Sequence, residues 1–151
     1  MKLTINQSLN QGETEVIINC NVIDARLQHL IDYIRQYSFS LEGRIGDEVY
    51  SIALEDIYYI DCVDGKTFLY SQEQVYESKE RLNTLEEKLG RTSFTRISKN
   101  CILNCMYLKS VSPLWNHRME ATLASGEKLV ITRNYIGSLK EKLEMGRFKH
   151  A

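Results

Sequence analysis

Two periods of apolar residues alternate along this chain. Between Asp24 and Tyr37, Leu27, Leu30, Ile31 and Ile34 recur at helical spacing behind Asp24, a residue type suited to cap a helix N-terminus, which predicts an amphipathic helix. Upstream, β-branched residues collect at Val16-Ile17-Ile18 and predict a strand over Glu15 to Asn21. From Phe39 to Glu77 the pattern becomes one of short strands: Phe39 to Arg44, Glu48 to Ala53, Tyr58 to Val63, Thr67 to Ser71 and Gln74 to Glu77. Asp64-Gly65 falls between two of them as a hairpin turn, because glycine freely takes the positive φ that tight hairpins require. Ser78 to Leu89 returns to the helical period, with Leu82, Leu85 and Leu89 on one stripe and Gly90 as its stop. Strands resume over Arg96 to Asn104 and Lys109 to Leu114. A hairpin follows, Arg118 to Leu123 with Lys128 to Thr132, turning at Ser125-Gly126. A last helix starts near Asn134 and carries Tyr135, Ile136, Leu139 and Leu143. The expected fold class is therefore mostly β with a few helices. The chain shows no repeat and no linker-like stretch; its weakest boundary is Leu41 to Asp47, where Glu42-Gly43-Arg44-Ile45-Gly46 reads as a turn.

Length and composition narrow this picture. At 151 residues, 43% hydrophobic and 26% charged, the chain suits one or two small domains. Its apolar runs, such as Ile57-Tyr58-Tyr59-Ile60, fall far short of the roughly 20 residues that cross a bilayer. The N-terminus MKLTINQSLNQGE turns polar before a signal-peptide core forms, so a cytoplasmic location with reduced thiols is expected. The net charge of −1 argues at first against a polyanionic partner. Divided, it says otherwise. Residues 1–90 carry 8 Lys+Arg against 16 Asp+Glu, net −8, and residues 91–151 carry 11 against 4, net +7. Such asymmetry points to nucleic-acid or membrane contact, or to complementarity between the two halves.

Catalytic chemistry is missing. Cys20, Cys62, Cys101 and Cys105 form no CxxC pair and His29, His117 and His150 stand singly, so neither a zinc site nor any other metal or cofactor is expected. The cysteines read as small apolar core residues, with a redox pair at Cys101/Cys105 the minor alternative. No phosphate-binding glycine loop or nucleophile elbow occurs, and Asp61 and Asp64 lack a partner base. No enzyme and no small-molecule substrate are expected.

What remains is the stretch from Phe94 to Leu143. In FTRISKNCILN, the polar or charged Arg96, Ser98, Lys99 and Asn100 precede apolar Cys101-Ile102-Leu103. In GEKLVITRNYIGSL, a strand runs directly into Arg133-Asn134-Tyr135 and then a helix. A basic fork at a strand–helix junction suits a nucleic acid, since arginine can grip guanine O6 and N7 or a phosphate, and the junction frees backbone N–H groups. For any single residue here, an exposed charge that keeps the rim soluble explains its presence equally well.

These motifs, together with IYYID at residues 57–61, the DGKTF turn at 64–68 and the Gly126-Glu127-Lys128 hairpin, resemble in order and spacing the LytTR DNA-binding domain of bacterial transcription regulators. The resemblance runs over about Arg44 to Gly146 and looks closest to the short stand-alone members of Gram-positive bacteria, which lack a receiver domain. It implies about ten strands in three small, mostly antiparallel sheets, with loops entering successive major grooves of double-stranded DNA. It implies base-reading positions at Lys99 and Arg133, a third contact loop at Lys66 and Thr67, and phosphate or positioning contacts from Arg96, Ser98, Asn100 and Asn134. The family commonly has Ser at position 100 and Asn-Gly where this chain has Asn116-His117. Residues 1–42 would form a strand–helix extension for dimerisation or signal input, and 43–148 the DNA-binding domain. A receiver of ~120 residues does not fit in the N-terminal stretch, so phosphorylation is not the expected switch. The resulting expectation is a cytoplasmic, sequence-specific transcription regulator, homodimeric on paired half-sites. Its alternative is a non-enzymatic interaction module that pairs with another regulator or a membrane protein through the Asp24 to Tyr37 helix. An RNA-binding reading is weaker, because the strands lack paired exposed aromatics for stacking.

Overall fold

The computed structural model describes residues 1–144, so the end of the expected second unit, residues 145–148, lies outside the described residues. Helix α1 (Ala25–Gln36) starts where the capping argument places it: Asp24 Oδ1 accepts from the Leu27 backbone N–H at 2.8 Å. Ten strands follow: β1 (Ser40–Ile45), β2 (Glu48–Ala53), β3 (Tyr59–Val63), β4 (Lys66–Tyr70), β5 (Val75–Ser78), β6 (Phe94–Ser98), β7 (Cys101–Asn104), β8 (Leu108–Pro113), β9 (Met119–Leu123) and β10 (Lys128–Ile131). Helix α2 (Leu82–Lys88) sits between β5 and β6, and helix α3 (Ile136–Glu144) closes the described chain.

The strands form two antiparallel sheets rather than three: a seven-stranded one ordered β2-β1-β5-β4-β3-β7-β6 and a three-stranded one ordered β10-β9-β8. The period of two explains how both are held. On β3, Ile60 joins a core with Leu41, Leu54, Ile57, Leu69, Leu82, Leu85, Phe94 and Ile102, under α2. Tyr59, on the opposite face, joins a second core with Ile97, Leu103, Leu108, Leu123, Ile131 and Leu139, supplied by the small sheet and α3. The large sheet is thus sandwiched, and β6 and β7 feed both cores. The tyrosines mostly pack against one another: Tyr59 stacks on Tyr70 with ring centroids 4.3 Å apart, and Tyr50 meets Tyr76 edge-on at 5.5 Å.

Four expectations need correction. Glu15 to Asn21 is not a strand; it is exposed and carries no regular structure, since β-branched residues make a strand only with a ladder partner and none is present among the described residues. The Ser78 to Leu89 helix begins only at Leu82, because Ser78 still pairs with Thr67 in the sheet and its Oγ turns the chain by accepting from Glu80 N–H. Glu42 to Ile45 is strand, and the turn is Gly46-Asp47; Gly43 is there for packing, as a Cβ on it would stand 2.6 Å from Tyr76 Cβ. Leu41 to Asp47 is accordingly a hairpin arm of the sheet. Arg96 to Asn104 is two strands, β6 and β7, folded back at Lys99-Asn100.

The β8–β9 turn has Asn116 at φ 58° and His117 at φ 59°, both left-handed. Asparagine tolerates this region, whereas a histidine Cβ crowds the neighbouring carbonyl. His117→Gly is therefore expected to stabilise the protein by ~0.5–1 kcal/mol, read from chemical denaturation; no gain would mean that the side chain offsets the strain through packing.

Candidate functional site

Three loops meet at one end of the sandwich. Asp61 pairs with Cys101 across β3 and β7, and the Cys62 N–H donates to Asn100 O at 2.8 Å, so the β3–β4 turn and the β6–β7 turn project from the same sheet end. There β10 also arrives: Thr132 N–H donates to Ile97 O at 2.9 Å, which fixes the start of the Arg133–Tyr135 turn of 3-10 helix beside the β6–β7 hairpin. Between them lies an open groove of about 610 Å³ lined by Ser98, Lys99, Asn100 and Cys101, by Lys128 to Val130, Thr132, Asn134 and Tyr135, and by Asp61.

Arg96 holds this end in place. It points from β6 toward α2, where Nη1 donates to Asn83 Oδ1 at 2.9 Å and Glu86 Oε1 at 3.0 Å. Its Nε donates to Ser98 O at 2.9 Å and its Nη2 to Lys99 O. One guanidinium therefore ties the turn carrying Lys99 to a helix, and at 9% exposure it has little left to offer a ligand. Asn100 N–H adds a 3.3 Å bond to Ser98 Oγ.

The structure brings Ser98, Lys99, Asn100 and Asn134 together around the groove, with Arg133 adjacent and exposed. Lys66 is exposed on the neighbouring hairpin, whereas Thr67 is buried at 5% exposure. The side chains of Lys99 and Arg133 make no hydrogen bond or ion pair within the described residues, and their charges are available to a partner. Lys128, Tyr135 and Asp61 also line the groove but had no place in the sequence-derived set. Lys128 was reachable from the basic balance of residues 91–151; Asp61 was not, because it arrives through a pairing 40 residues distant. Burial pushes the Asp61 carboxyl above its usual range, opposed by the Cys62 amide.

The groove offers hydrogen-bond donors rather than reactive groups. Burial, and next the Asp61 charge, raises the Cys101 thiol well above its ordinary value, and burial raises Cys105 to about 12. Both are protonated at neutral pH, and all four cysteines are free. On titration with an aromatic disulfide reagent, the exposed Cys20 is expected to react at once and Cys101 and Cys105 only on unfolding; rapid modification of either would contradict their assignment to the core.

The family model described as the LytTr DNA-binding domain matches residues 47–144. Among similar proteins, the sensory transduction protein LytT of Enterococcus faecalis is 32% identical over 97 residues, 64% of this chain and 40% of that one. The transcriptional regulatory protein LytR of Staphylococcus aureus is 27% identical over 112 residues, 74% and 46% respectively. The chain thus spans less than half the length of these curated relatives. A solved LytTr DNA-binding domain from Bacillus cereus superposes with a TM-score of 0.65 at 20% identity, covering 70% of this chain and 96% of that one, a likeness of fold.

Proposed function

This chain belongs to the LytTr DNA-binding domain family, and from that premise we propose that it is a sequence-specific regulator of transcription, without catalytic activity, that reads double-stranded DNA through loops. The β6–β7 turn presents Lys99 and Asn100, and the β10–α3 junction presents Arg133 and Asn134. Each pair enters a major groove, with Arg133 and Lys99 on base edges and the amides on bases or phosphates. Lys66 adds a third contact from the neighbouring hairpin. Arg96 acts as a positioning residue behind Lys99, and Ser98 serves the same turn through its Oγ. Residues 1–42 face away from DNA and supply dimerisation or input, so that a homodimer meets paired half-sites in the cytoplasm.

The observation that carries this reading is the convergence of two free cations, Lys99 and Arg133, on loops flanking one groove at one end of the molecule. Selection of bound duplexes from a random pool with the purified chain tests it. A motif repeated at a fixed spacing is expected, and a pool without enrichment would contradict sequence-specific binding. Affinity should also fall roughly 10²–10³-fold between ~50 and ~200 mM salt if about five phosphates are neutralised, because each contact releases condensed counterions.

A further inference from the structure

A second groove, of about 580 Å³, opens at the other end of β6, between α1, the α2–β6 loop and the end of α3. It is lined by His29, Asp32 and Arg35 from α1, by Gly90 to Ser93 from the loop, and by Lys142. β6 starts just after Ser93 at this groove and ends with Ser98 at the first, and α3 starts just after Tyr135 at the first and carries Lys142 here, so the two grooves lie at opposite ends of both elements.

The charges in it are unbalanced. Lys142 Nζ donates to Thr92 O at 2.8 Å and Gly90 O at 3.3 Å, and no carboxylate lies within ion-pair distance of it among the described residues. An ammonium has three donors, so among the described residues one remains. Burial pulls its pKa below the usual lysine value, opposed by Cys105, Asp32 and Glu141. Arg35 and Arg91 border the groove with guanidiniums that make no hydrogen bond or ion pair within the described residues, and Asp32 is the only carboxylate on the lining, engaged by Gln28 Nε2 at 3.1 Å. His29 is pushed toward its neutral form, first by burial and then by Lys142, against the pull of Asp32. Three cations face one carboxylate: Arg35 from the acidic stretch of residues 1–90, and Arg91 and Lys142 from the basic stretch of residues 91–151.

We propose that this groove binds a small phosphorylated molecule, its phosphate held by the guanidiniums of Arg35 and Arg91 and the remaining N–H of Lys142. A guanidinium fork matches two oxygens of a tetrahedral phosphate, and a dianion neutralises the groove's excess of two positive charges. The 580 Å³ volume leaves room for an organic portion beside His29 and Tyr33. This site is separate from the DNA-reading groove, and its existence does not depend on that reading.

The test is a titration of the isotope-labelled full chain with inorganic phosphate at constant ionic strength, followed through backbone amide signals. Saturable shifts are expected at Gly90, Arg91, Thr92 and Ser93 and along α1. They should weaken about tenfold for each guanidinium removed in Arg35→Gln and Arg91→Gln, since each charge-assisted contact carries roughly that factor. Both arginines are exposed and make no side-chain bond among the described residues, so the thermal midpoint should not move and loss of folding cannot imitate the result. Shifts that never saturate, that follow ionic strength, that survive both substitutions, or that appear only at Ser98 to Cys101 and Arg133 to Tyr135 would overturn the proposal. A duplex that shifts the Gly90 to Ser93 signals would also overturn it, by making this groove a DNA contact.

Discussion

Replacing Lys99 and Arg133 together by alanine should remove ~2–6 kcal/mol of the preference for the selected duplex over random DNA, taking ~1–3 kcal/mol for each base-reading contact. The two side chains stand on different loops and make no hydrogen bond or ion pair within the described residues, so their losses should come close to adding. Each substitution alone should relax selectivity at a different part of the motif, because a base contact discriminates one position whereas a phosphate contact supports every sequence alike. Affinity for random duplex should fall less. Fluorescence anisotropy with both duplexes at one salt concentration measures the difference, and thermal unfolding checks that the fold is untouched, as expected for two exposed residues. Equal losses on both duplexes would take Lys99 and Arg133 out of base reading.

Arg96→Ala should act by another route and cost ~2–4 kcal/mol of folding stability. The substitution leaves the Ser98 and Lys99 carbonyls, the Asn83 amide oxygen and the Glu86 carboxylate without the donor they share. Little of this is Coulombic attraction to Glu86, whose side chain is 47% exposed and screened by water. Most of it is the desolvated guanidinium's set of hydrogen bonds. Arg96→Lys is the informative companion. An ammonium keeps the charge but cannot span acceptors on α2 and on the turn at once, so it should recover less than half of the lost stability. Its DNA affinity should drop more than its stability, because the turn carrying Lys99 loses its tie to α2. A lysine variant that binds DNA and unfolds like the parent would show that Arg96 holds nothing in place.

The residues differ in how far they could be read in advance. Asp24 capping α1 and the Asp64-Gly65 and Ser125-Gly126 turns were legible because each is fixed by neighbours a few positions away: a cap side chain or a glycine with positive φ. Arg96 to Asn104 was not. Nothing like glycine or proline separates β6 from β7, and the fold-back at Lys99-Asn100 is secured by Arg96 reaching its carbonyls and by β3 pairing with β7, both tertiary facts. Glu15 to Asn21 failed for the converse reason: its local preference for strand is real but no edge pairs with it. Thr67 and Arg96 were named as contact residues from their place in the motifs. Motif order carries no burial, and both side chains turned out to face inward. The basic half of the chain holds Lys99, Lys128 and Arg133, whereas the acidic half hid Arg35, which joins Arg91 and Lys142 only once α1 packs beside the α2–β6 loop and α3.

The central claim is that the β6–β7 turn and the β10–α3 junction form one DNA-reading face. Amide shift mapping of the labelled chain with the duplex enriched by selection tests it most directly. The largest changes are predicted at Lys66, at Ser98 to Asn100 and at Arg133 to Tyr135, with α1 and Gly90 to Ser93 unmoved; changes concentrated on α1, or spread evenly with salt-like weakness, would contradict it.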